Sequence, residues 1–112
     1  MSVLDRARAH LADRERGRLE VPEWGEEGRP LVVTWSPMTV RQHNKIYPPG
    51  KPVGSTNAVM VVIVKAQDEA GKPLFTEADR PALEDEVDSA VVSRIANAIL
   101  ASRQTVKEAE KN

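Results

Sequence analysis

The hydrophobic pattern has one dominant feature. Ala58-Val59-Met60-Val61-Val62-Ile63-Val64 is the longest uninterrupted apolar stretch of the chain, at seven residues. A bilayer span needs about 20 such residues, so the stretch is too short to cross a membrane. A segment apolar on every side is buried on every side, which makes it the middle of a core. Its β-branched residues favour a strand, while its flanks favour a helix. Gly54-Ser55-Thr56-Asn57 supplies N-cap side chains before it. Lys65 to Ala70 continues mostly in helix formers, and Gly71 stands where a C′ glycine belongs. The pattern predicts a buried helix over 56–70, with a short buried strand running into a turn as the alternative.

The flanking segments alternate between thin apolar stripes and breakers. Ser2 to Arg16 has a capping-box spacing, Ser2 with Asp5, and a narrow stripe of Leu4, Ala7 and Leu11 widened by Val3. A helix this polar lies at the edge of a core or meets a partner. After Gly17, residues 18–21 and 31–35 alternate or are rich in β-formers, and the Pro- and Gly-containing stretch 22–30 joins them as a hairpin. Leu19, Val21, Leu31, Val33 and Trp35 form the face that the hairpin packs on helices. Thr39 and Gln42 have capping-box spacing before a short helix from Val40 to Tyr47, which places Val40, His43, Ile46 and Tyr47 on one side. Pro48-Pro49 stops it, and Pro48 to Gly54 is expected as an exposed loop. Leu74 and Phe75 are expected to plug the core. Asp79 is a candidate cap for a helical turn with Pro81 at its start and Leu83 and Val87 facing inward. Asp88 caps a last helix whose stripe is Val91, Val92, Ile95, Ala98 and Ile99. The sum is a mainly α fold with a small N-terminal β-hairpin (α+β). It is one domain over 1–102, with the hairpin at about 18–35, followed by a polar tail at 103–112 that frays or is disordered.

Composition narrows the function classes. The chain's 112 residues suit one self-sufficient domain. With no cysteine, neither disulfides nor thiolate metal sites can form. No apolar signal segment is visible at the start. The 16 basic and 17 acidic side chains leave a net charge of -1, which gives no reason to expect nucleic acid or a membrane as partner. Neither catalytic, cofactor-binding nor metal-ligating residues stand out. His10 and His43 lie on different elements. Gly50-Lys51 fails the phosphate-loop pattern because Lys45 and Pro52 occupy the diagnostic places. The acidic residues Glu84, Asp85, Glu86 and Asp88 mark a helix junction, where capping and solvation explain them. No cofactor is expected, and the chain points to binding or assembly rather than an enzyme. Trp24, near the tip of an acidic loop, is either folded back on the core or an interface anchor.

The order of motifs carries a resemblance. Leu19-Glu20-Val21-Pro22-Glu23-Trp24-Gly25, then Ser36-Pro37-Met38-Thr39-Val40-Arg41, then Lys65-Ala66-Gln67-Asp68-Glu69-Ala70-Gly71-Lys72-Pro73-Leu74-Phe75, followed by Val91-Val92-Ser93-Arg94-Ile95-Ala96, resembles the tail assembly chaperones of long-tailed bacteriophages and prophages. The stretch Pro48 to Gly54 departs from that pattern. The resemblance implies a chaperone that binds the tape measure protein, keeps it soluble before the tail tube polymerises around it, and is absent from the virion. It further implies self-association into homo-oligomers, the bacterial cytoplasm as location, the tail tube protein as a candidate second partner, and in many phages a longer frameshifted form. Leu4, Leu11, Trp24 and Trp35 are the candidate protein-interaction residues. Competing expectations are a structural tail or connector protein that stays in the particle, and a small nucleic-acid-binding regulator using Arg6, Arg8, Arg14, Arg16 and Arg18.

Overall fold

A computed structural model of the protein describes residues 2–50 and 57–110, with side chains up to Ala101. The element order is α1 (Val3–Asp13), β1 (Gly17–Glu26), β2 (Arg29–Trp35), α2 (Val40–Ile46), α3 (Ala58–Lys65), a 3₁₀ turn (Glu77–Asp79), α4 (Arg80–Asp85) and α5 (Ser89–Glu110). The α+β architecture with an N-terminal antiparallel hairpin is therefore the observed one. No helix among the described residues is long and apolar enough to cross a membrane.

Local chemistry explains the helix starts. Ser2 Oγ accepts from Asp5 N (3.1 Å) while Asp5 Oδ2 accepts from Ser2 N (3.3 Å). Thr39 and Gln42 repeat the reciprocal pair before α2. Asn57 Oδ1 caps α3 through Met60 N, and Asp88 Oδ1 takes Ala90 N at the start of α5. The other cap candidates, Gly54, Ser55 and Thr56, and most of the expected loop from Pro48 to Gly54, lie outside the described residues.

In the core α3 packs against α5, α2 and α4, and β1 of the hairpin packs against α5. Val61 and Val62 of α3 are fully buried with Val21 and Val33 of the hairpin and Ile95 of α5. Met60 and Ile63 face the other way and meet Leu83 of α4. α5 contributes Val91, Val92, Ile95, Ala96 and Ile99, so Ala96 takes the depth assigned to Ala98, which is half-buried. α5 runs in backbone to Glu110, through the segment expected as a tail. Val40 is 79% exposed rather than part of an inward face. Val87 is also exposed, beyond the end of α4.

The central helix is shorter than the pattern predicts. It stops at Lys65, and Ala66 is already extended (φ -71°, ψ 126°). Tertiary hydrogen bonds override local propensity here. Gln67 exchanges two backbone bonds of 2.8 Å with Thr34 at the free edge of β2, and Ala66 O accepts from Leu74 N. Gly71 is accordingly no helix C′ residue. It has φ +89° within a turn in which Asp68 Oδ1 accepts from Ala70 N and Lys72 N.

The hairpin turns at Glu27-Gly28, so β1 continues through Pro22 to Glu26, the stretch expected as loop. Its register slips between Val21 and Glu26, which swings Trp24 toward the helices. At the opposite end Gly17 pairs with Trp35, and the indole lies directly on its Cα: a Cβ there would sit 2.0 Å from Trp35 Cε2. Gly17→Ala is expected to lower stability by about 1–3 kcal/mol, because the large ring must shift to admit a methyl group. A thermal melt checks this, and an unchanged midpoint would mean that the ring is not seated on Gly17.

Candidate functional site

Two regions stand apart from ordinary core. One is α1, which has no buried residue. Val3, Leu4 and Leu11 are 72%, 58% and 40% exposed. At 100° per residue these three and Ala7 fall within one stripe, bordered by His10 and Arg8. The Asp5–Arg8 ion pair on this helix is highly exposed and adds little. α1 joins the body through Arg16, whose guanidinium donates to Thr34 Oγ1 (2.8 Å) and Gln67 Oε1 (2.6 Å). Thr34 Oγ1 in turn donates to Asp68 O (2.7 Å). The anchor thus sits where β2 meets the end of α3, while the helix beyond it offers its apolar stripe to solvent.

The four candidate interaction residues separate in space. Leu4 and Leu11 share the open face of α1. Trp24 is half-buried and packs edge-on against Phe75, with ring centroids 6.2 Å apart at 80°. The same strand segment is tied to α5 by Glu23 and Arg94 at 2.7 Å, and the Arg94 hydrogen bond holds the Glu23 carboxyl below its usual range. Trp35 is 6% exposed and belongs to the core.

The second region was not singled out by sequence reasoning. Lys65 is 1% exposed, the most enclosed charge among the described residues. Its Nζ donates to Gln42 Oε1 (2.7 Å), Pro37 O (3.2 Å) and Ser36 Oγ (3.3 Å). Gln42 Oε1 also accepts from Thr39 N, so the α2 capping box is one wall of the lysine cage. The three acceptors are neutral, and no carboxylate pairs with Lys65 among the described residues. Burial, and then the nearby Arg16 charge, push its pKa from the ordinary 10.5 down to about 8. The only sequence signal for this was position: a lysine directly after the buried apolar run.

The histidines are apart from both regions. His10 is exposed on α1, and His43 of α2 lies against the Tyr47 ring at 5.0 Å. Among the described residues no group of three or more His, Cys, Asp or Glu side chains could hold a metal ion. No family model, curated protein or solved structure matches this chain.

The Lys65 environment has a measurable pH signature. The unfolded chain keeps the lysine proton up to about pH 10.5 and the folded chain releases it near pH 8. Between those values the unfolded state binds more protons, so stability rises with pH. Urea melts should show the wild type gaining on the order of 3 kcal/mol relative to Lys65→Met from pH 8 to 10.5. A constant difference across that window would mean that the amine is not desolvated.

Proposed function

We propose that the protein is a phage tail assembly chaperone that binds the tape measure protein and keeps it soluble while a tail is built. The observation that carries this is α1, a capped helix that buries nothing of its own and holds a stripe of Val3, Leu4, Ala7 and Leu11 open to solvent. An extended, largely helical client offers complementary apolar stripes, and helix-in-groove contacts need spaced anchors of this kind rather than a catalytic pocket. The motif order from Leu19 to Ala96 supports the same reading. The stripe also suits contact between copies of the chain. A head-to-tail contact would multiply weak sites along one client.

The test is co-expression with the tape measure protein expected to be encoded just downstream, followed by solubility and size-exclusion chromatography with light scattering. The intact chain is expected to hold the client in solution and co-elute with it. Leu4→Glu with Leu11→Glu should abolish co-elution and leave the melting temperature within about 2 °C, because both positions lie outside the core. A client that stays insoluble with the intact chain and with any longer frameshifted form would count against the chaperone role and favour a structural tail component. The two outcomes are further separated by mass spectrometry of purified particles, from which a chaperone is absent.

A further inference from the structure

The cage around Lys65 borders a cavity of about 80 Å³ at the exit of β2. Its lining mixes chemistries. Part of it carries donors and positive charge. Lys65 Nζ is held there by three neutral oxygens, of Ser36, Pro37 and Gln42. Trp35 is 6% exposed, and its Nε1–H has no hydrogen-bond partner among the described residues. Ser36 Oγ accepts from Lys65, which leaves its hydroxyl hydrogen free to donate. The lining also includes apolar groups, from Pro37, Met38 and Ile99.

A buried donor without a protein acceptor and a buried cation without a carboxylate partner each carry a penalty. One ligand class relieves both. We propose that this cavity binds a small aliphatic carboxylate, its oxygens accepting from the Trp35 indole and the Ser36 hydroxyl beside the Lys65 ammonium, its alkyl end against Met38 and Ile99. Size selects a short acid such as acetate or propionate: the volume is about half the ~150 Å³ of an apolar cavity that takes benzene. A tetrahedral phosphate carries acceptors on all sides, and the apolar groups would leave some of them unpaired. Chloride supplies the charge without the alkyl contact. The site is independent of α1 and of the assembly role.

Binding is linked to the proton on Lys65. The charged groups around the amine are Arg16, which repels it, and Arg14 and Glu15 on the cavity wall. Glu15 is exposed and bonds neither Lys65 nor Trp35. α2 and the β2 exit contribute only neutral groups, Gln42, Ser36 and Pro37, and the described α5 residue at the cavity is Ile99. Carboxylate binding therefore favours the ammonium form, and affinity falls about tenfold per pH unit once the free amine deprotonates above pH 8.

The experiment titrates the intact chain with sodium acetate and sodium propionate against sodium chloride at constant ionic strength and pH 7. Trp24→Phe leaves Trp35 as the fluorescent reporter, and melting temperature is the second readout. Acetate is expected to give a saturable fluorescence change and, at ten times its midpoint concentration, a melting temperature about 5 °C higher than chloride does. Trp35→Phe, which keeps an aromatic ring but deletes the donor and the reporter, should move the acetate midpoint read from melting temperature about tenfold higher. Lys65→Met should abolish the response. A response equal to that of chloride overturns the proposal, as does a folded Lys65→Met protein with the wild-type midpoint. If Lys65→Met does not fold, the pH profile of the wild type decides, and an affinity that is flat from pH 7 to 9.5 overturns the proposal.

Discussion

Enclosure of the Lys65 ammonium constrains the middle of this protein more than any single apolar contact. A lysine that is 1% exposed must have every N–H of its ammonium placed, and the donor and its acceptors come from three different segments. Ser36 and Pro37 lead out of β2, Gln42 belongs to the first turn of α2, and the lysine itself closes α3. The cage thereby fixes the path from the hairpin into α2 and the depth at which α3 enters the core. Apolar burial supplies most of the stabilisation, since Val61, Val62 and Ile95 each contribute roughly 1.5–3 kcal/mol. It is non-directional, however, and would tolerate several arrangements of short helices. Hydrogen bonds to a buried cation are not tolerant, so they select one.

Next to the cage, the edge of β2 performs a related selection. Thr34 uses its backbone to hold Gln67 and its side chain to hold Asp68, and it receives Arg16 from the far side. A two-stranded hairpin alone would be marginal and would leave an open edge. Here part of that edge is covered by the chain leaving α3. Helix termination, edge protection and anchoring of the N-terminal segment are one hydrogen-bonded cluster.

What was legible in the sequence follows from this division. Local rules placed the capping boxes of Ser2 and Thr39, the cap at Asp88, the hairpin, and the apolar stripe of α5, and offered Asn57 among several caps for α3, because each depends on residues within a turn or two. The end of α3 was not legible. Lys65 to Ala70 are acceptable helix formers, and only pairing with Thr34, distant in sequence, removes them from the helix. Gly71 looked like a helix stop for the same reason and serves an Asp68 turn instead. The candidate sites were legible in part. The thin stripe of α1 showed in the pattern, and Leu4 and Leu11 lie on its open face. Alternation already put Trp35 on the packed face of the hairpin, but its depth depends on Gly17 yielding space, and the half-burial of Trp24 on a register slip before Glu26. Neither leaves a local trace. Lys65 was overlooked because a lysine at a helix end ordinarily marks solvent.

The lack of packing on α1 has a thermodynamic consequence. Eleven residues are below the length at which a lone helix is securely formed in water, roughly 12–15 residues even for alanine-rich chains. Its order rests on its own caps and on the Arg16 tether, so its helix–coil balance is nearly decoupled from unfolding of the core. Any partner that grips the stripe must also meet the conformational entropy of holding the helix, which weakens the complex for a given contact area. The same balance shortens residence times, because loss of a few helical turns is enough to let go. A surface built this way suits a companion that is meant to depart.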